Sequence, residues 1–309
     1  MRVVFHDCGY ETFGVQYLLA VTRRAGHEPL LFFDASFNKD YLAQDFFLTG
    51  FLSLTPAQIA DGILRLEPDV VCFSVYTLFY RENMRVIRAL KERRPDVAVV
   101  CGGFHPTLLP EQTLRNAGVD FVVLAEAELS LPNLLEAIAR HGIAGAQRLG
   151  AAELPGVCTL VDGAFVSRGL SPIPPDLDAL PFPEKDAYYR ENPVLASIYT
   201  IVASRGCPYR CTYCNSATMN ETYRAHGATY YRVRSVDSVL AELRAALERH
   251  RPRHVMFFDD VFAARRDWLR EFSRRYREEI GLPFYCQTSP LIHDAESLRL
   301  LAESGCCLI

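Results

Sequence analysis

The stretch YTIVASRGCPYRCTYCN, Tyr199 to Asn215, runs from an apolar, β-prone segment straight into three cysteines, Cys207, Cys211 and Cys214, spaced four and then three positions apart. Four cysteine thiolates fill the protein-ligated sites of an ordinary electron-transfer iron–sulfur cluster. Three leave one iron of a cubane open to a further ligand, just as catalytic zinc sites keep a vacant position. The spacing by itself leaves other readings open. Cys211 and Cys214 form a CxxC that would be half of a zinc site if Cys207 and His226 joined it, although no second CxxC or HxxxH pair follows. A redox CxxC would leave Cys207 without a role.

Downstream of the triplet the pattern is a series of βα units. Ser235 stands where an N-cap belongs, ahead of a helix with Val236, Val239, Leu240, Leu243 and Leu247 on one face. HVMFFDD (254–260) reads as a strand, Arg265 to Tyr276 as a helix, FYCQT (284–288) as a strand, and Asp294 to Ser304 as a helix stopped by Gly305. GCCLI (305–309) reads as the opening of a fourth strand.

Upstream, residues 2 to about 140 alternate short apolar runs with stretches of helical period, the pattern of a parallel sheet covered by helices. RVVFHD (2–7), HEPLLFFD (27–34), DVVCFSVY (69–76), DVAVVCGG (96–103) and VDFVVLAE (119–126) are five expected strands. Helices are expected over Phe13 to Ala25, after the Thr55-Pro56 cap, and through Met84, Ile87 and Leu90 to a stop at Pro95. In such sheets ligands bind beyond the carboxyl ends of the strands. Three loops lie there: HDCGYETFG (6–14), SVYT (74–77) and GGFHPT (102–107). Gly102 and Gly103 let the backbone either approach a ligand or make the turn. No GxGxxG follows the first strand and no GxxxxGK[ST] occurs, so dinucleotide and P-loop readings lack support.

Between the halves, GVCTLVDGAFVSRG (156–169) reads as a hairpin turning at Asp162-Gly163. Pro172, Pro174, Pro175, Pro181 and Pro183 then mark a boundary. The expected divisions are 1–145, an α/β domain; 146–196, hairpin and proline-rich linker; and 197–309, the βα series.

Composition narrows the function. The 309 residues carry 33 basic and 37 acidic side chains, a formal charge of −4, so no polyanion-binding surface is indicated and no nucleic-acid partner is expected. No signal peptide or apolar run of membrane-spanning length is visible, which makes a cytoplasmic protein without membrane attachment the expectation. Ten cysteines in a long chain of this kind are expected to be free thiols or metal ligands, not disulfides. Cys72 and Cys101, inside apolar runs, read as small hydrophobes, and Cys8, Cys158, Cys286, Cys306 and Cys307 as structural.

Two resemblances sharpen this reading. Cys-x-x-x-Cys-x-x-Cys with an aromatic residue, Tyr213, before the last cysteine resembles the signature of the radical S-adenosylmethionine superfamily. FGVQYLLAVTRRAGHE (13–28), GGFHPTLLPEQTL (102–114) and VDFVVLAEAELSLPNLLEAI (119–138) resemble the cobalamin-binding domain that precedes the catalytic domain in one large class of those enzymes. The fold so implied is α/β: an open, Rossmann-like parallel sheet of the cobalamin-binding type, followed by part of a radical (β/α) barrel. Because that family's barrel has about six units, the chain is expected to be a fragment.

The resemblance assigns Cys207, Cys211 and Cys214 to a [4Fe–4S] cluster whose open iron takes S-adenosylmethionine, with Tyr213 and Asp259 or Asp260 also beside that molecule. Two carboxylates at a strand end can equally cap the next helix. Ser74, Tyr76, Thr77, Gly102, Gly103, Phe104, His105, Pro106 and Thr107 would flank the cobalamin. The chain departs from one pattern: where methionine-synthase-type domains carry Asp-x-His-x-x-Gly, the frame from Asp7 places Gly9 and Thr12. That excludes an axial histidine from this motif and leaves His6 and His105 as alternatives. The implied activity is a cobalamin-dependent radical methyltransferase acting on an unactivated carbon. The rivals are a non-methylating cobalamin radical enzyme and a corrinoid- or metal-binding module without catalysis. A reductant such as flavodoxin or ferredoxin is the implied partner, and the substrate cannot be read.

Overall fold

The computed structural model describes residues 1–8, 11–34, 54–116, 118–292 and 294–309. Gly9, in the frame compared with the axial-ligand motif, lies outside them. The chain forms two compact units, Met1–Pro174 with Pro181–Glu191, and Pro175–Leu180 with Asn192–Ile309.

The first unit is built on strands β1 (Arg2–Cys8), β2 (Glu28–Asp34), β3 (Val70–Ser74), β4 (Ala98–Gly102), β5 (Phe121–Val123), β6 (Val157–Val161) and β7 (Ala164–Ser167), in the order β2-β1-β3-β4-β5-β6-β7. The first five are parallel, and β1 and β3 are neighbours with connections that leave in opposite directions. That makes a topological switch point, where loop ends part and leave a crevice. One face buries Val4, Val71, Phe73, Val99 and Cys101 against helices α1 (Pro56–Leu64) and α2 (Tyr80–Arg93) through Ile59, Ile63, Met84, Ile87 and Leu90. Each such side chain contributes about 1.5–3 kcal/mol by leaving water. Thr55 and Gln58 cap α1 reciprocally, as the Thr55-Pro56 signal foretold. Helix α3 (Phe13–Arg24) begins after Thr12 and matches the expected one within a residue.

The hairpin differs from expectation in its place. Asp162 (φ 50°) and Gly163 (φ 79°) make the expected turn, both with the positive φ that a tight two-residue hairpin requires. Yet β6 pairs antiparallel with β5, Val123 facing Val157, so the hairpin extends the first sheet and is no part of a linker. The proline-rich segment is divided as well. Residues 175–180 pack with the second unit, where the Asp178 carboxylate accepts the Ser235 N–H, while 181–191 fold back onto the first. Proline removed regular structure there, but buried side chains still gave each piece a partner.

The second unit has a parallel sheet of β8 (Ile198–Ile201), β11 (His254–Phe257), β12 (Phe284–Cys286) and β13 (Cys306–Leu308), ordered β13-β12-β11-β8. A short antiparallel pair, β9 (Ser204–Arg205) with β10 (Arg232–Val233), follows the end of β8. Helices α4 (Val236–Arg249), α5 (Arg266–Glu279) and α6 (Ala295–Ser304) cover one face. The core between them is aromatic: Phe257 meets Phe262 at 4.3 Å and Trp268 stacks on Phe272 at 4.9 Å. Ser235 caps α4 as read, Asp294 proves to be the N-cap of α6 and not its first residue, and Gly305 takes the left-handed conformation (φ +104°) that ends α6. No helix among the described residues is long and apolar enough to cross a membrane.

Candidate functional site

In the first unit the loops after β3, β4 and β5 are sewn together by backbone. Ser74 lies opposite Gly102, the Val75 N–H donates to Gly102 O at 2.8 Å, and the His105 N–H donates to Val75 O at 3.2 Å. Thr107 ties in the third loop: its hydroxyl donates to Gly103 O at 2.8 Å and accepts the Ala125 N–H at 2.9 Å. Gly103 makes the turn at φ +98°, and a Cβ there would sit 3.1 Å from Val75 N and O. Gly102 does something else. A Cβ added to it would meet only Val123 O, at 3.7 Å, so its backbone borders open space. Sequence reasoning took 102–107 as a loop, whereas Phe104–Leu108 is a turn and a half of helix.

Tyr76 and Leu78 are exposed at the same strand ends, with Tyr76 and Phe104 ring centroids 6.0 Å apart. Pro106 is buried. Hydroxyl groups, bared glycine backbone and exposed apolar surface together suit a large amphipathic ligand such as a corrinoid.

Neither alternative axial histidine is presented there. His105 is 5% exposed, its Nδ1 lies 3.1 Å from Thr77 Oγ1 and its ring stacks on Tyr80 at 4.0 Å. Burial lowers its pKa by disfavouring the charged imidazolium. His6 is 1% exposed and packed 5.1 Å from Phe73, with burial lowering its pKa to about 4 despite the Asp34 charge. Both read as core histidines, which corrects the axial-ligand alternative on the ground of access.

At the switch point the last residue but one of β1 is Asp7, 2% exposed. Its Oδ1 accepts from Thr12 Oγ1 at 2.8 Å and Cys8 N at 3.0 Å, and its Oδ2 from Tyr188 OH at 2.5 Å and Thr12 N at 3.2 Å. Burial outweighs these four donors and raises the Asp7 pKa to about 6. Nothing in the local sequence announced Tyr188 as its partner.

In the second unit the three cysteines share the segment between β9 and helix α7 (Ser216–Ala225). Gly206 launches it at φ +74°, where a Cβ would lie 2.5 Å from Tyr230 O, so only glycine fits before Cys207. Cys207 is buried and Cys211 exposed, with Cys214 between these extremes; all three are free thiols. Asn220 Nδ2 clamps the segment, donating to Cys207 O and Ser216 O at 3.0 Å each. The Cys214 N–H donates to Cys211 O at 3.1 Å, closing a turn just ahead of α7. Burial raises the Cys207 thiol pKa first, and the nearby charges of Asp260, Cys211 and Cys214 raise it further. The triplet and Asp260 therefore share one electrostatic neighbourhood. Among the described residues no three Cys, His, Asp or Glu side chains are gathered tightly enough to hold an ion as they stand. The donor set, soft thiols on one short segment, nonetheless fits iron. Tyr213 is 91% exposed beside Cys211, and His226 Nδ1 lies 2.8 Å from Thr222 O in its own helix.

The two aspartates part company. Asp259 is 2% exposed; it accepts the Ala203 N–H at 3.0 Å and the Ser204 hydroxyl, and burial still raises its pKa to about 6. It braces the turn after β8. Asp260, one residue on and like it beyond the end of β11, is exposed, and its charge raises the Cys207 pKa.

Two families of known proteins match different parts of the chain. Residues 9–135 match the B12 binding domain family and residues 201–309 the radical SAM superfamily. The "Uncharacterized methyltransferase PH0819" of Pyrococcus horikoshii is 26% identical over 95% of this chain and 58% of its own length. The anaerobic magnesium-protoporphyrin IX monomethyl ester cyclase of Rubrivivax gelatinosus is 24% identical over 99% of this chain and 54% of its own. The radical S-adenosylmethionine methyltransferase TsrM of Kitasatospora setae, solved with cobalamin and a [4Fe-4S] cluster bound, superposes with a TM-score of 0.66 at 20% identity, over 99% of this chain and 59% of that one. The chain thus spans between 54% and 59% of the length of these three relatives.

Proposed function

The chain belongs to the cobalamin-binding radical S-adenosylmethionine enzymes, and on that premise we propose that it is the cofactor-binding part of a methyltransferase acting on an unactivated carbon. The cofactors are those of its two domains: cobalamin for the first, and a [4Fe–4S] cluster with S-adenosylmethionine for the second. When bound, the cluster supplies reductive cleavage of S-adenosylmethionine to a 5′-deoxyadenosyl radical, and the corrinoid supplies the methyl group.

The residues do the positioning. Cys207, Cys211 and Cys214 would hold the cluster as three thiolate ligands, a set that leaves it able to bind S-adenosylmethionine. Asp260, with its exposed carboxylate beside that segment, would accept a hydrogen bond from the methionine amino group, while Asp259 is engaged by its two buried hydrogen bonds. Exposed Tyr213 lies against the same ligand. Ser74, Tyr76 and Thr77 on one loop, and Gly102, Gly103, Phe104 and Thr107 on the next, would line the corrinoid crevice, with His105 and Pro106 buried behind them. An external one-electron donor of the flavodoxin or ferredoxin type reduces the cluster, and the enzyme works in the cytoplasm.

The observation that carries the reading is the three-thiol segment launched by an obligatory glycine at a strand end. The match to a cyclase keeps one rival, radical chemistry without methyl transfer. Full-length protein, loaded with both metals and reduced without oxygen, is expected to convert S-adenosylmethionine to 5′-deoxyadenosine and S-adenosylhomocysteine, with the first product lost in Cys211→Ala. 5′-Deoxyadenosine alone would favour the rival, and neither product would overturn the enzyme reading.

A further inference from the structure

The segment that follows the proline-rich stretch is gripped by the first unit at residues next to the switch point. Tyr188 is fully buried, donates to Asp7 Oδ2 at 2.5 Å and sets its ring edge-on to Phe33 at 5.6 Å. Lys185, 2% exposed, places Nζ 2.9 Å from both Glu11 Oε2 and Gln16 Oε1 and 5.3 Å from the Phe13 ring centroid. Glu184 receives both arms of Arg23 at 2.7 and 2.8 Å, and its N–H donates to Gln16 O at 3.1 Å. Asp7, Glu11, Phe13 and Gln16 lie at the two ends of the connection between β1 and α3, whereas Phe33 is on β2 and Arg23 is in the last turn of α3.

A buried lysine and a buried carboxylate are costly unless paired, so a segment that brings both partners is more than a spacer. Its target also matters. Asp7 and Cys8 lie within electrostatic reach of Tyr76, whose hydroxyl pKa their charges raise after burial. β1, whose last residues are Asp7 and Cys8, pairs with β3, so Asp7 and the Thr12 it holds form one wall of the crevice whose other wall carries Tyr76 and Thr77.

We propose that Tyr188 is a positioning residue for the corrinoid: its hydroxyl fixes Asp7, which fixes Thr12 and with it the wall of the crevice. This rests on the cobalamin reading above. The free energy for ordering that wall is then supplied by the fold before the ligand arrives, which raises affinity.

The test uses the intact protein and hydroxocobalamin, read by equilibrium dialysis and by visible circular dichroism of the bound corrinoid, which reports its chiral surroundings. Tyr188→Phe keeps the ring against Phe33 and removes one donor; about a tenfold loss of affinity and an altered dichroism band are expected, the scale of one hydrogen bond to a charged group. Asp7→Asn should reproduce the loss, and the double variant should lose no more than either single one, because both act through the same contact. Arg23→Ala, which loosens the exposed end of the same segment, should lower the melting temperature and leave affinity and dichroism unchanged. Wild-type protein that fails to bind hydroxocobalamin would end the cobalamin reading itself. Binding by the wild type with unchanged affinity and dichroism in Tyr188→Phe would overturn the proposal alone. So would equal losses of affinity in Tyr188→Phe and Arg23→Ala, which would make the contact merely structural. If Tyr188→Phe does not fold, Asp7→Asn against the wild type decides by the same readouts.

Discussion

Asp259 accepts the Ala203 amide hydrogen at 3.0 Å, so the first carboxylate after β11 is committed to holding the turn that follows β8. Asp260 beside it makes no such commitment and faces the cysteine segment electrostatically. Asp259→Ala leaves a buried N–H and a buried hydroxyl without their acceptor and should cost about 1–3 kcal/mol in a denaturation experiment. Asp260→Ala should melt like the wild type and bind S-adenosylmethionine at least several-fold more weakly in equilibrium dialysis. The opposite assignment of losses would reverse the two roles.

A second pair anchors the same unit. Arg234 Nη1 lies 2.6 Å from Glu242 Oε2, both side chains being nearly inaccessible, and Tyr199 OH donates to Glu242 Oε1 at 3.0 Å. Glu242→Ala strands a buried guanidinium and should destabilise by about 3–5 kcal/mol. Replacing both partners with apolar residues of similar volume should cost much less, which a urea titration of the three proteins would measure.

The paired glycines of the first unit separate fold from ligand. Gly103→Ala forces a Cβ onto a backbone at φ +98° and against Val75, and a cost of about 1–3 kcal/mol is expected. Gly102→Ala has room and should melt normally, yet its methyl group would stand in the crevice and lower affinity for hydroxocobalamin. Unchanged binding by Gly102→Ala would place the ligand elsewhere.

Stability should also depend on acidity in a defined window. Asp7 titrates at about 6 in the fold because burial disfavours its charge. A carboxyl with an ordinary pKa of about 3.9 when unfolded makes the folded state bind the extra proton between these values. The stabilisation from protonated Asp7 is complete below about pH 4 and is lost as pH rises through 6, a change of order 3 kcal/mol. Denaturation across pH 4 to 7 should show a smaller loss of stability with rising pH in Asp7→Asn than in the wild type, the remainder coming from Asp259, which burial raises to the same value.

Much of the fold was legible because buried parallel strands leave unbroken apolar runs: Val70–Phe73 and Val97–Cys101 are almost wholly inaccessible, as continuous hydrophobicity requires. The cysteine segment was legible because metal ligation fixes residue type and spacing together. The division of Asp259 from Asp260 was not available, because β11 ends at Phe257 and its period of two stops before the aspartates. Tyr188 was not available. Its contact with Asp7 spans 181 residues and arises from a segment whose composition announced only a boundary. Phe104–Leu108 was taken for a loop because its proline and two preceding glycines signal a turn, while the helical hydrogen bond from Thr107 N to Gly103 O is a product of packing.

The most direct test of the account is the cobalt and iron content of the full-length protein, reconstituted without oxygen and supplied with hydroxocobalamin. About four irons and one cobalt per chain are expected, with the iron lost and the cobalt kept in a Cys207→Ala, Cys211→Ala, Cys214→Ala variant. Iron without cobalt would contradict the account, because the first sheet would then hold no corrinoid and the methyl-transfer proposal would have no donor.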